Sequence, residues 1–132
     1  MEAGDQHYDE LARVLNGFRA QKRVYLSAAP QCAFPDAHLD SAITTGLFDY
    51  VWVQFYNNFV KACNQLTSSQ ANQVFLGVPA DATKNGDFIP SDVLISQVLP
   101  AIKSSVKYDG VMIWKRFNDA QSGHNNASKG GL

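Results

Sequence analysis

Apolar residues recur along the chain with two different spacings, which predicts alternating helices and strands. Over residues 7–18 they recur every three or four positions, as on one face of an amphipathic helix. Similar spacing returns at 36–47 and 91–102, so three helices are predicted. Pro100 lies late in the third helix and predicts a kink or an early end there, because proline has no backbone N–H.

Short runs rich in β-branched and aromatic residues separate these helices and predict buried strands. The four runs are 23–29, 49–56, 73–78 and 110–114. Residues 57–72 are polar and lack a clear helical period, so this segment stays without an assignment. The residues after Asn118 are rich in Asn, Ser and Gly, which predicts a loop or tail.

Strands that alternate with helices and are apolar on both faces predict an α/β fold with a parallel sheet and helical crossovers. A closed β/α barrel usually needs about 250 residues, so four strands make about half of one. We expect one half-barrel domain over 1–118 and a polar tail over 119–132. A half barrel has two unpaired edges, so either a monomer protects them or two copies pair through them as a homodimer.

Charge and composition exclude several classes of partner. Lys and Arg number 11 against 12 Asp and Glu, a formal charge of −1, whereas nucleic acids and anionic membranes select clustered cations. No apolar run reaches eighteen residues, so no membrane span is predicted. The first residues lack the pattern of a signal peptide, so either one has been removed or this chain is not exported on its own. The histidines His7, His38 and His124 lack metal-ligand spacing, and we expect neither a metal nor a cofactor.

Three segments carry a resemblance to a known family. Residues 24–58 read VYLSAAPQCAFPDAHLDSAITTGLFDYVWVQFYNN, residues 75–80 read FLGVPA and residues 108–114 read YDGVMIW. These segments resemble strands 5–8 of the plant class III chitinases, glycoside hydrolase family 18. The resemblance implies the C-terminal half of a TIM-type (β/α)8 barrel that acts on chitin, a polymer of β-1,4-linked N-acetylglucosamine. It also implies a plant-defence protein that is secreted, extracellular or vacuolar.

The resemblance also implies roles for three residues. The family signature D-x-x-D-x-D-x-E ends the fourth strand, and its last position falls on Glu2, which would be the general acid. Tyr56 would orient the acetamide of the substrate, whose own oxygen attacks in substrate-assisted retaining hydrolysis. Trp114 would lie beneath the reacting sugar. The aspartates of the signature have no counterpart in this chain, and Glu2 has a second interpretation as a solvated carboxylate beside the α-amino charge.

Strand parity indicates part of the same site independently of the family. Trp52, Gln54 and Tyr56 share one face of the strand predicted at 49–56, and Trp114 ends the last strand. A β/α barrel holds its active site at the carboxyl ends of its strands. Gln54 and Trp114 are therefore predicted to bind substrate together with Tyr56, although each taken alone is more often a core or rim residue.

Two cysteines lie at or near positions that the family uses. Cys32 aligns with a family cysteine whose partner follows the sixth strand, and Cys63 stands near that place. The resemblance implies a Cys32–Cys63 disulfide in an oxidising compartment. Relatives read NNPPC where this chain reads NNFVKAC, a departure at this site.

Three functions stay open from the sequence. The first is a chitinase-type hydrolase. The second is a non-catalytic chitinase-like protein, either a carbohydrate-binding lectin or an inhibitor of xylanase or amylase, since the family includes such proteins. The third is a gene fragment without an independent function.

Overall fold

A computed structural model describes residues 6–31, 36–56, 70–82 and 87–131. Its centre is a four-stranded parallel sheet in the order β1-β2-β3-β4, so each strand lies beside the one that precedes it in sequence. The strands are β1 (Ser27–Ala28), β2 (Tyr50–Gln54), β3 (Gln73–Pro79) and β4 (Tyr108–Trp114). The predicted α/β class with parallel strands is confirmed.

One helix precedes the first strand, and others connect the strands or follow the last of them. They are α1 (Tyr8–Gly17), α2 (Asp40–Ile43), α3 (Ser91–Val93), α4 (Leu99–Ile102), α5 (Arg116–Ser122) and α6 (His124–Ser128). Two hydrophobic clusters join α1, α2 and the helix over 91–102 to the sheet. In the first, Ala12 and Ala42 pack with Val51 and Val53; in the second, Leu76 and Val78 pack with Leu94 and Leu99. Phe55 and Ile102 pack against both clusters and so connect them.

The two faces of the sheet differ in burial. On the outer face, which packs in the hydrophobic clusters, Val51, Val53, Val74, Leu76 and Val78 are fully buried. The opposite face, called here the inner face, carries the alternate positions of each strand. In β2 these are Tyr50, Trp52 and Gln54, which are all half-buried. The inner face is therefore open to solvent in a way that the outer face is not.

The helix that begins at Ser91 passes Pro100 without stopping. Between α3 and α4 it widens into a π-helical segment, Leu94–Val98, and it ends at Ile102 as the spacing predicts. Proline removes an N–H from the hydrogen-bond ladder and crowds the preceding turn, and a wider turn accommodates both effects. The expected kink or early end is thus replaced by a local widening.

Helix α2 is shorter than the prediction of 36–47. The segment before it forms a turn, and the helix proper covers only Asp40–Ile43. At its end the Thr44 and Thr45 hydroxyls donate to the carbonyls of Asp40 and Ala42, at 2.9 and 2.6 Å. Such side-chain bonds compete with further helix, and Gly46 follows with a φ of 70°.

The residues after Asn118 form helices instead of the predicted loop. The boundary drawn at 118 lies inside α5, and α6 follows after Gly123, which has a φ of 70°. Polar contacts fix this segment, since Asp119 accepts from the Asn125 N–H at 2.7 Å and His124 is buried. A hydrophobic period does not reveal helices that are fixed in this way.

The described ranges contain no helix that is long and apolar enough to cross a membrane. Within the same ranges, no group of three or more His, Cys, Asp or Glu side chains is placed to hold a metal ion.

Candidate active site at the carboxyl ends of the strands

Gln54 ends β2 and ties it to the segment that follows β1. Its backbone N–H donates to the carbonyl of Pro30 at 2.9 Å, and its side-chain Nε2 donates to the carbonyl of Ala29 at 2.7 Å. The side chain is half-buried on the inner face. One amide hydrogen of Gln54 is thus used for structure, while the amide carries a second hydrogen and an oxygen for other contacts.

Tyr56 lies two residues beyond Gln54 and is only 7% exposed. Burial raises the pKa of its hydroxyl above the ordinary value of 10.0, because an ionised phenolate would lose its hydration. The hydroxyl therefore stays protonated at physiological pH and can donate a hydrogen bond. A substrate carbonyl oxygen, such as that of an acetamide, is a suitable acceptor.

Trp114 ends β4 with an exposed ring. Its side chain is 56% exposed, and its carbonyl accepts from the Ala80 N–H at 2.6 Å. That backbone bond fixes the end of β4 against the end of β3, so the backbone that carries this exposed ring is held in place. An exposed ring of this kind can stack on the apolar face of a sugar.

The strand register places these residues at neighbouring levels of the inner face. Gln54 pairs with Gly77, which in turn pairs with Met112. Trp114 pairs with Pro79, one inner-face position nearer to the carboxyl ends. Parallel strands lie about 4.8 Å apart, so Gln54 and Trp114 stand on strands about 10 Å apart with only β3 between them. Both residues thus lie at the carboxyl ends of their strands, and their roles in substrate binding stay predictions.

Asp36 holds the turn beside this edge, a role that the sequence reasoning missed. Its carboxylate accepts from the backbone N–H groups of Gln31, His38 and Leu39, at 2.8, 2.9 and 2.6 Å. Gln31 forms a parallel bridge with Gln54, so Asp36 positions the backbone next to the candidate site. An aspartate at the first position of a predicted helix is the signal for such a turn.

A second polar contact joins β3 to the C-terminal helices at the same edge. The Asn118 side chain in α5 donates to the carboxylate of Asp81, which follows β3. This link between Asp81 and α5 is a contact between distant parts of the chain. Because α5 begins two residues after Trp114, this bond also limits the movement of the tryptophan.

His124 anchors the C-terminal helices to α3. It is 3% exposed, its Nδ1 lies 2.9 Å from the Ser91 hydroxyl, and the Phe88 ring lies 5.1 Å from the imidazole. Among the described residues, its Nε2 has no hydrogen-bond partner. Burial lowers the pKa of His124, while the negative charge of Asp119 acts in the opposite direction and is the smaller effect. The neutral imidazole is therefore the form that the fold selects.

Stability is expected to fall as the pH drops through the titration range of His124. The unfolded chain binds this proton near the ordinary pKa of about 6.5, whereas the folded chain resists it to lower pH. The contribution is complete above that pH and is lost below it, with a slope of at most about 1.4 kcal/mol per pH unit for one proton. Unfolding in urea at pH 5 to 8 measures it, with His124→Gln as the comparison. A variant as steeply pH-dependent as the parent would exclude His124 as the cause.

Several predicted positions lie outside the described residues. These are Glu2, both cysteines of the predicted disulfide (Cys32 and Cys63), and residues 57–69 of the unassigned segment. The roles of Glu2 and of the two cysteines stay predictions.

The whole chain has relatives of greater length. It is 67% identical over 146 residues to a protein of Cicer arietinum named acidic endochitinase, an alignment that covers 100% of this chain and 50% of that relative. The chain thus spans about half the length of the relatives it matches. No protein-family model matches the sequence.

Solved structures of similar fold include an enzyme and an inhibitor. A chitinase from Ipomoea carnea matches with a TM-score of 0.87 and 39% identity, over 100% of this chain and 54% of that one. A xylanase and α-amylase inhibitor protein, solved in complex with trehalose, matches with a TM-score of 0.90, 32% identity and the same coverage.

Proposed function

Because the chain belongs to the plant class III chitinases of glycoside hydrolase family 18, as their C-terminal part, we propose that it binds and hydrolyses β-1,4-linked N-acetylglucosamine polymers. The observation that carries this proposal is the register that sets Gln54 and the exposed Trp114 at one edge, with the buried hydroxyl of Tyr56 beyond Gln54. An aromatic ring beside hydrogen-bonding groups is the arrangement that sugar recognition requires, since a pyranose has one apolar face and a polar rim.

In the proposed reaction Glu2 gives its proton to the glycosidic oxygen as the bond to the anomeric carbon breaks. The acetamide oxygen of the same sugar attacks that carbon, and water then opens the ring so formed, with overall retention. Tyr56 donates a hydrogen bond to the acetamide and so holds it in the attacking position. Trp114 supports the sugar ring from below. Glu2 returns to its protonated state by taking a proton from the attacking water.

Hydrolysis of an N-acetylglucosamine hexamer, followed by chromatography of the products, tests the assignment of the acid. We expect Glu2→Gln to lower the rate at least about a hundredfold, since general acid catalysis contributes that much. Glu10→Gln is the matched control, because Glu10 is an exposed glutamate on α1 that pairs with His7. Hydrolysis that survives Glu2→Gln would exclude Glu2 as the acid, and no hydrolysis by the parent chain would exclude the enzyme.

Binding of the same hexamer, measured by calorimetry, tests whether a sugar stacks on Trp114, separately from the catalytic step. Trp114→Ala is expected to weaken binding about tenfold or more, because the stacked sugar face returns to water. Tyr25→Ala is the control, since Tyr25 is a 49% exposed aromatic residue that precedes β1, at the opposite end of the strands. Equal affinity of the parent and of Trp114→Ala for the hexamer would contradict the proposed stacking on Trp114.

A non-catalytic binding protein is the second candidate function. The similarity to the xylanase and α-amylase inhibitor favours it. Hexamer binding that is lost in Trp114→Ala, without hydrolysis by the parent chain, would identify a lectin-like protein. Inhibition of a xylanase or an amylase would identify an inhibitor.

The family also indicates the compartment in which the protein acts. We propose a secreted protein, extracellular or vacuolar, in which Cys32 and Cys63 form a disulfide under oxidising conditions. The proposed ligand is a neutral chitin oligosaccharide, in keeping with a formal charge of −1.

A further inference from the structure

Two separate contacts hold the backbone on either side of Trp114. On one side, the Trp114 carbonyl accepts from the Ala80 N–H at 2.6 Å, which ties the end of β4 to the end of β3. On the other side, α5 begins at Arg116, and the Asp119 N–H donates to the Lys115 carbonyl at 3.0 Å. Because Lys115 directly follows the tryptophan, the place where α5 is held also affects the backbone of Trp114.

The side chain of Asn118 fixes α5 to the end of β3. Its amide donates to the carboxylate of Asp81, the residue after Ala80. Asn118 is half-buried and stands next to the buried Asp119, so it lies on the side of α5 that faces the rest of the chain. An ionised carboxylate only accepts hydrogen bonds, so the amide presents its NH₂ group to Asp81 and the bond is charge-assisted.

These contacts form a closed cycle around the backbone of Trp114. The cycle passes through the backbone bond to Ala80, along the chain to Asp81, across the side-chain bond to Asn118 and back through the first turn of α5. Its members all belong to β3, β4, α5 or the residues directly joined to them. The backbone bonds of the cycle survive a change of side chain, so the contact between Asn118 and Asp81 is the part that a substitution can remove.

We propose that Asn118 and Asp81 are positioning residues for Trp114, because their contact sets how α5 leaves β4 and thereby how the ring is presented. A ring held in one orientation loses less freedom when it binds than a ring that swings. The freedom that one side chain loses on binding costs about two- to tenfold in affinity. The effect on sugar affinity rests on the proposed stacking on Trp114, whereas the effect on the motion of the ring does not.

A second polar contact of the C-terminal helices separates positioning from stability. His124 in α6 lies 2.9 Å from the hydroxyl of Ser91, farther along the chain from Trp114. Ser91→Ala removes this contact and leaves Asn118 and Asp81 in place. It should lower the midpoint of urea unfolding without changing the motion of the Trp114 ring.

Time-resolved fluorescence anisotropy of the full chain tests the proposal without any sugar. The chain has two tryptophans, so Trp52→Phe leaves Trp114 as the one that emits. In that background, Asn118→Ala should shift part of the anisotropy from the slow tumbling of the chain into a fast local decay. Asn118→Asp should shift more of it, because two carboxylates then repel each other. Asn126→Asp makes the same change at an exposed asparagine of α6 and should leave the decay unaltered.

An exchange of the two side chains is the most specific test of the contact. Asn118→Asp combined with Asp81→Asn keeps one amide and one carboxylate in exchanged places, so an NH₂ group again donates to a carboxylate. The double variant should recover the slow decay that Asn118→Asp loses, and this recovery would exclude a general failure to fold. An unaltered decay in both Asn118 variants, no recovery on exchange, or an equal change in Ser91→Ala would overturn the proposal.

Calorimetry with the N-acetylglucosamine hexamer separates this inference from the proposed function. In the chain that retains Trp52, Asn118→Ala should weaken binding about two- to tenfold, and the exchanged pair should recover the affinity. A ring that becomes mobile without any loss of affinity would support the positioning role and contradict the stacking of a sugar on Trp114.

Discussion

Asp36→Ala is expected to lower the free energy of unfolding by about 3–5 kcal/mol, since a hydrogen bond to a charged group contributes about 1.5–3 kcal/mol. The carboxylate is 5% exposed and accepts three backbone N–H groups. Alanine would leave all three donors without this acceptor in a partly buried turn, and water could reach them only if the turn opened. The loss should appear as a lower midpoint in urea unfolding with an unchanged slope.

Two further variants separate the hydrogen bonds from general effects of charge. Asp40→Ala removes a neighbouring aspartate from the first turn of α2, where its interaction with the helix dipole contributes only about 0.3–1 kcal/mol. Asp36→Asn keeps the shape but turns an NH₂ group towards backbone donors, so an intermediate loss is expected. Equal losses for Asp36→Ala and Asp40→Ala would contradict the assigned role.

Asp36 also controls the candidate site, because it holds Gln31 beside Gln54. In Asp36→Ala the sugar affinity should therefore fall together with stability. Asp40→Ala should bind sugar as the parent does.

The elements that are held mainly by burial of apolar side chains could be predicted from the sequence. The apolar runs in β2 and β3 form strands because their alternate valines fill the helix-covered face, and any parallel α/β sheet imposes that pattern. The C-terminal helices could not be predicted in this way. They depend on the contact of His124 with Ser91 and on the carboxylate of Asp119, which are pairings of polar groups that hydrophobic spacing does not record.

The candidate site, too, could be predicted only in part from the sequence. Strand parity sufficed to predict the face of the sheet that carries Gln54 and Trp114, because parity follows from the geometry of any strand. It did not reveal that the amide of Gln54 donates to Ala29, nor that Asn118 reaches Asp81, because both contacts depend on how separate segments meet. Tyr56 is more buried than its face companions Trp52 and Gln54, a difference that the sequence pattern does not contain.

Gly77→Ala is expected to lower the free energy of unfolding by about 1–3 kcal/mol, the range for overpacking a tight site. A Cβ atom at Gly77 would lie 2.7 Å from the backbone oxygen of Val53 and 3.0 Å from the Cε of Met112. The methionine can move, since its end is flexible, but the Val53 oxygen belongs to the strand paired with β3. Relief of the contact therefore requires β2 and β3 to separate, which stretches the bond from the Phe55 N–H to the Gly77 carbonyl, now 2.9 Å.

Gly17→Ala provides a control of opposite sign. Gly17 ends α1 with a φ of −58°, and a Cβ there would meet nothing within 4 Å, so alanine should stabilise the chain by about 0.4–1 kcal/mol through the unfolded state. Thermal or urea unfolding of both variants gives the comparison. Because Gly77 pairs with Gln54, the separation of β2 from β3 should also weaken sugar binding, whereas Gly17→Ala should leave it unchanged. A Gly77→Ala chain as stable as the parent would mean that the two strands are not held as closely as this contact requires.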